Sequence, residues 1–362
     1  MSHHNNLKSN TRSIASLLLV MVLIPMLSVQ IFAATEAEEI AKAAKIIGPL
    51  KYDNNCSSCH ALEAEAWKQT THFATFKSRG RTPQAKAILE KMGQRSMKSA
   101  GACRQCHYTS KLKGTRLKSA WGISCESCHS PASDWFDVHN KQGGDPTAKA
   151  MEMGTGKDQP AESKQKRIAA AQKMGMIHSA MIYDIASNCF SCHTVPNEEM
   201  VNKGGHHAGS DFDLVAWSQG EIRHNFLDTA ATAAPKNRKS SPNQLRRLYV
   251  IGAMVDLETT LKNITIVTAK GGVFHKAMVA RANKIRDKVQ AILDAQPIEE
   301  LAAAISDVPK TIDESTAIDA ALPEKLKAAS LAFLKKHDGS TLTAIDALLP
   351  AEKDYKGTAH QQ

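Results

Sequence analysis

Aromatic residues are scarce in this chain. Trp, Tyr and Phe together make up 5% of its 362 residues, thin material for a core of that length. No cysteine stands alone, and none lies beyond position 192. No acidic residue occurs before position 34, and no second long apolar run follows the one that ends at Phe32. That last absence excludes a protein with several membrane spans and leaves a soluble body. The 42% hydrophobic and 23% charged content excludes a disordered or collagen-like chain. What remains is a globular protein long enough for about two domains. Its excess of 46 Lys and Arg over 36 Asp and Glu gives a net charge of +10. Such a balance raises nucleic acid or an anionic membrane as partners to be tested.

The N-terminus carries Lys8 and Arg12, then an apolar run from Ile14 to Phe32 closed by Ala33 and Ala34. A basic start, an apolar stretch and small residues at its end form an export signal. Residues 1–33 are therefore expected to be a signal peptide, with retention of 14–33 as a membrane anchor the alternative. Cleavage removes Lys8 and Arg12 and takes the charge from +10 to +8.

All eight cysteines fall into four copies of one pattern: Cys56-Ser-Ser-Cys59-His60, Cys103-Arg-Gln-Cys106-His107, Cys125-Glu-Ser-Cys128-His129 and Cys189-Phe-Ser-Cys192-His193. C-x-x-C-H is the attachment signature of c-type haem. Cysteines three apart share one face of a helical turn, so both thiols reach the two vinyl groups of one porphyrin. The following His becomes the proximal iron ligand. Disulfides and structural zinc also use paired cysteines, but neither explains four adjacent histidines. Four covalently bound haem c groups are expected, and their attachment requires export.

Each iron has a sixth position, open to His, Met, a substrate or nothing. His72 lies twelve residues after His60 in a stretch without Gly or Pro. As helix that is a rise of about 18 Å, so His72 as a ligand serves a different haem from His60. His139 follows Pro131, with Trp135 and Phe136 between them suited to a porphyrin face or to a core. His206, His207 and His224 sit among Gly204, Gly205, Gly209, Phe212, Trp217 and Phe226. The glycines there allow close approach to a large planar group. His178 is read as a non-ligand, and His275 as a core or surface-edge residue on a stripe with Met278, Ala282, Ile285 and Val289. His337 and His360 are read as exposed. Met92, Met97, Met174, Met176 and Met181 are read as gap-fillers.

These motifs resemble the 554-nm tetrahaem cytochromes c of ammonia-oxidising bacteria. The resemblance rests on Cys56 to His60 followed by Trp67 and His72, on Gly122-Ile-Ser-Cys125-Glu-Ser-Cys128-His129-Ser-Pro131 followed by His139, and on a last motif followed by Phe212-Asp213 and His224. It covers roughly residues 52–226. In that family most haems carry two His ligands and stack in close pairs. The resemblance implies His72 as distal ligand of the third haem, His139 of the first and His224 of the fourth. The ammonia oxidiser's second haem lacks a distal protein ligand. The added Gly-His206-His207 segment departs from that pattern. Either His206 closes the second site, or it serves the fourth haem and leaves His224 elsewhere.

The expected fold is mainly α, a multihaem cytochrome c core with little regular sheet followed by an α-helical C-terminal domain. Its parts are a tetrahaem domain at 34–230, a linker at 231–242, helices within 243–350 and a flexible tail at 351–362. Apolar spacing predicts helices near 161–173, 243–268, 273–295, 298–306, 323–337 and 341–348. The helical half either covers the haem core or makes a partner or subunit contact.

The expected function is a periplasmic electron carrier between redox proteins. Its donor would be an oxidoreductase or a quinol-oxidising membrane cytochrome, its acceptor a cytochrome or terminal reductase. The alternative is a redox enzyme acting on a small nitrogen or oxygen species at a second haem without a sixth ligand. Against it, C-x-x-C-K is absent and the chain has half the haems of hydroxylamine oxidoreductase. A subunit of a haem filament is a third reading. Basic clusters at Lys111–Lys118 and Lys236–Arg247 are either a solvated face or a dock for an acidic redox partner. Nucleic acid is excluded as a partner by export and the lack of a binding motif. Four haems bring roughly eight propionates, which nearly cancel the +8 of the mature chain.

Overall fold

The computed structural model describes residues 36–49, 56–141, 144–145, 160–226 and 236–361, with Met1. The expected signal or anchor segment, Met1 apart, and residues 231–235 of the expected linker lie outside the described residues. Among those described, no helix is long and apolar enough to cross a membrane.

The chain is mainly α. Helix α1 (36–44) leads to α2 (Cys56–Cys59), α3 (Ala61–Lys68), α4 (Thr71–Ser78), α5 (Pro83–Lys91) and α6 (Gly101–His107). A hairpin follows, β1 (Thr109–Lys113) antiparallel to β2 (Arg116–Trp121). It is the whole sheet content of the described residues. Then come α7 (Cys125–His129), α8 (Phe136–His139), α9 (Ala161–Lys173), α10 (Ile182–His193), α11 (Glu198–Asn202) and α12 (Leu214–Ser218). The C-terminal half holds α13 (Pro242–Thr265), α14 (Val273–Ala295), α15 (Glu299–Ser306) and α16 (Leu322–Lys336). A 3-10 turn spans Thr343–Leu348.

Local chemistry sets the helix starts. Thr70, Thr82, Asn197, Asp213 and Ser241 each accept a backbone N–H of the first turn. Pro83 and Pro242 then enter where a missing N–H costs nothing.

Helix α13 is buried nearly all round from Leu248 to Leu257 and packs against α10, α12, α14 and α16. The main core is continuous from Ile182 through Phe212 and Val250 to Ile345. The last C-x-x-C-H helix thus shares its core with the C-terminal helices, across the expected boundary at 231–242. A separate small core joins Ala132, Trp135, Val138, Ala171 and Met176. Trp135 therefore fills a core, and its ring also flanks His139 at 5.0 Å.

One expectation is corrected. Residues 351–361, read as a flexible tail, are docked. Lys356 donates its N–H to Ala216 O and accepts from Glu221 N–H, and Asn237 Nδ2 donates to His360 O. The polar composition of the tail hid backbone pairing with residues far away in sequence.

Candidate haem sites

Each Cys pair sits one helical turn apart, on α2, α6, α7 and the end of α10, with its His at or just past the helix end. All eight are free thiols and none is fully buried, although free Cys is among the most buried residue types. The motifs converge. The Cys56 and Cys125 thiols lie near enough to perturb each other, as do those of Cys106 and Cys192. Asn188 Nδ2, on α10, donates to Ser127 O at 2.7 Å and Cys128 O at 3.2 Å, tying the fourth motif to the third.

Each motif His has a second imidazole near it. His193 faces His72 with ring centroids 6.2 Å apart, His107 faces His206 at 6.4 Å, and His129 faces His224 at 6.1 Å. Two imidazoles gripping one metal ion from opposite sides, at about 2 Å each, have centroids roughly 6 Å apart. His139 lies close enough to His60 for their charges to interact.

The Nδ1 atoms are engaged elsewhere. His129 Nδ1 meets Ile177 O at 2.8 Å, His206 meets His207 O at 2.8 Å and His224 meets Ile222 O at 2.7 Å. Those carbonyls only accept, so the proton sits on Nδ1 and Nε2 is left as the ligand atom. His139 Nδ1 meets Phe136 O in the same way. Burial brings His107, His129 and His193 down to about 4, helped by a neighbouring imidazole in each case. They are therefore neutral at physiological pH, the form that binds metal. His60 is the exception, raised by Glu63, whose carboxylate lies 3.9 Å away. Paired thiols, a following imidazole and a second imidazole at metal-spanning distance are a donor set that fits haem c.

Residues 55–130, which contain the first three motifs, match the family described as cytochrome c554 and c-prime. The cytochrome c-554 of Nitrosomonas europaea is 27% identical over 138 residues, 34% of this chain and 54% of the relative. The chain therefore spans about half the length of that relative. Over residues 55–130 the chain is thus similar to the cytochrome c554 family. No solved structure matches the chain. That similarity supports covalent haem c on the c554-type segment.

In two cases the ring positions differ from the pairing that the resemblance implies. His72, implied for the third haem, faces His193 of the fourth motif. His224, implied for the fourth, faces His129 of the third. The backbone of His72 is indeed tied to the third motif, since Ile123 N donates to His72 O and Trp67 Nε1 to Ile123 O. Gly122 permits that contact, because a Cβ there would meet His72 O at 2.3 Å. The ring points the other way. His206 lies beside His107, the motif His of the second site.

The glycines serve protein contacts. Gly204 packs on Met200 O and Met92, and Gly209, at φ +85°, packs on Arg281 and His193 O. Phe212 stacks on His193 at 4.3 Å and on Trp217 at 5.9 Å. His275 is buried in the core, with Nδ1 accepting from Gly271 N–H. His337 is half-buried against Glu300.

Glu126, at a variable position of the third motif, is a residue the pattern passes over. Its buried carboxylate accepts N–H bonds from Ile47 (3.0 Å), Gly48 (2.7 Å) and Ala132 (2.9 Å). It fastens the segment before the first motif to the third.

Proposed function

We propose that the protein is an exported tetrahaem electron carrier in which all four irons are held by two histidines. The pairs are His60 with His139, His107 with His206, His129 with His224, and His193 with His72. The carrying observation is the recurrence of a 6.1–6.4 Å imidazole separation at three motifs, each joining a motif His to one remote in sequence. When bound, each haem supplies a one-electron iron couple, and two His ligands favour low potential because Met/His ligation raises it. The chain's residues bind, orient and space these groups. The nearness of Cys56 to Cys125 and of Cys106 to Cys192 supports close packing of first with third and second with fourth.

His206 beside His107 favours the carrier over an enzyme with an open second site. Electron paramagnetic resonance of the oxidised protein tests this. The native protein should be wholly low-spin and unresponsive to cyanide, and His206→Ala should turn about one iron in four high-spin. A high-spin signal in the native protein that cyanide removes would instead support the enzyme.

For the partner we propose an acidic redox protein docking at the β1–β2 hairpin. Lys111 pairs directly with Lys118 across the strands, and Lys113 with Arg116. Like charges placed opposite cost stability, and Lys113, Arg116 and Lys118 are exposed. A second basic hollow lies nearby, lined by Lys77, Arg81, Lys86, Arg95 and Lys98 without a carboxylate. Such a field steers an acidic partner toward the second motif.

A further inference from the structure

The loop after the fourth motif is held from outside the c554-type segment. Ser210 N donates to His193 O at 2.9 Å. Ser210 Oγ lies 3.0 Å from His193 Nδ1 and 3.4 Å from His193 O. With its hydroxyl proton directed to the carbonyl, Oγ presents a lone pair to Nδ1–H. The Nδ1 partners of His129, His139, His206 and His224 are backbone carbonyls. This one is a side-chain hydroxyl on a loop, whose position must be fixed by something else.

Helix α14 fixes it. Arg281 Nη1 donates to Ser210 O at 2.7 Å. Its other two nitrogens clasp the Asp256 carboxylate on α13 at 2.6 and 2.8 Å. Asp256 is buried and also accepts from Thr260 Oγ1 at 3.2 Å. A buried ion pair contributes little net stability compared with apolar packing. This one aims the remaining guanidinium nitrogen. The bidentate fork leaves Nη1 one direction, toward Ser210 O. Gly209 is required for the approach, since a Cβ there would sit 3.2 Å from Arg281 Nη1 in a backbone already at positive φ. Two turns along α14, Lys288 pairs with Asp213 at 2.6 Å, and Asp213 caps α12. Between these two anchors lies Phe212, stacked on His193.

We propose that Arg281, braced by Asp256, is a positioning residue for His193. Acting through Ser210, it fixes the ring orientation and the Nδ1–H acceptor, and so tunes the haem bound at the fourth motif. The C-terminal helices are on this account part of the redox apparatus. The proposal rests on the four-haem reading above.

The test uses the full-length holoprotein. Intact mass first counts haems, and fewer than four in the native chain would defeat the four-haem reading rather than this proposal. With four present, spectroelectrochemical titration and paramagnetic resonance follow each haem. His72→Met marks the fourth-motif wave by raising its potential. Ser210→Ala should raise that same wave, because an imidazole whose N–H has lost its acceptor is a weaker electron donor to iron. Arg281→Gln should shift it in the same direction, and Arg281→Lys should partly restore it. The double variant Ser210→Ala/Arg281→Gln should shift it no further than Ser210→Ala alone, since one residue acts through the other. Lys284→Ala, which removes a solvent-exposed pair with Asp211, should leave every wave in place. Additive shifts in the double variant would overturn the proposal. So would an Arg281→Gln or Arg281→Lys protein that loses thermal stability while all four waves and resonance signals stay put.

Discussion

Replacing Glu258 by Gln probes how the fourth-motif helix is fastened to the C-terminal helices. Tyr183 OH on α10 donates to both carboxylate oxygens of Glu258 on α13, at 2.8 and 2.9 Å. Burial raises the Glu258 carboxyl from 4.5 to about 7, against the opposing pull of that hydrogen bond. An acid whose folded value exceeds its unfolded value keeps its proton in the fold while the unfolded chain releases it. Its contribution is fully present below pH 4.5 and is lost as pH rises through 7. The full shift corresponds to roughly 3 kcal/mol. Because Glu258 is half-buried, solvent screening reduces this to about 1–2 kcal/mol. Gln mimics the protonated acid and still accepts from Tyr183. Urea unfolding of the holoprotein, followed by far-ultraviolet circular dichroism, should find the two proteins equal near pH 4.5. Near pH 8, Glu258→Gln should be more stable by about 1–2 kcal/mol. A gap that does not change with pH, or a Gln variant weaker than native at pH 8, would refute the reasoning.

Glu126→Ala should cost about 3 kcal/mol in the same unfolding assay, because three buried N–H groups lose their acceptor; a cost under about 0.5 kcal/mol would show that the carboxylate is not the fastener. Changing Lys113, Arg116 and Lys118 to Gln should slow reduction by an acidic electron-transfer protein at low salt and flatten the ionic-strength dependence. Stopped-flow reduction measures both, and an unchanged salt slope would move the docking site elsewhere.

The sequence was legible where chemistry is local. C-x-x-C-H is complete within five residues, so the eight cysteines and their adjacent histidines stand out without any fold. Helices α9, α14, α15 and α16 were legible for a similar reason, since apolar spacing and a stop such as Pro297 lie within the element itself. The partner of each motif His is tertiary information. His72 illustrates the limit: its backbone is stapled to Gly122 and Ile123 beside the third motif, while its ring turns to His193. An offset along the chain registers the first relation and is blind to the second. Arg281 lies 71 residues from Ser210 and reads as an ordinary polar position on an amphipathic helix. Glu126 occupies a position that any residue fills in the motif. The docked tail escapes notice because its anchors are mostly backbone groups, which every residue type carries.

The nearness of thiols from different motifs bears on how the protein would be made. A chain that folded before receiving its cofactors would bring Cys56 near Cys125 and Cys106 near Cys192. In an oxidising compartment such neighbours cross-link, and each link would consume one attachment point from two motifs at once. On the exported four-haem reading, biosynthesis would be constrained in order: thiols kept reduced, cofactors joined to the extended chain, and compaction last. The same proximity that would let electrons cross between sites makes premature folding a dead end.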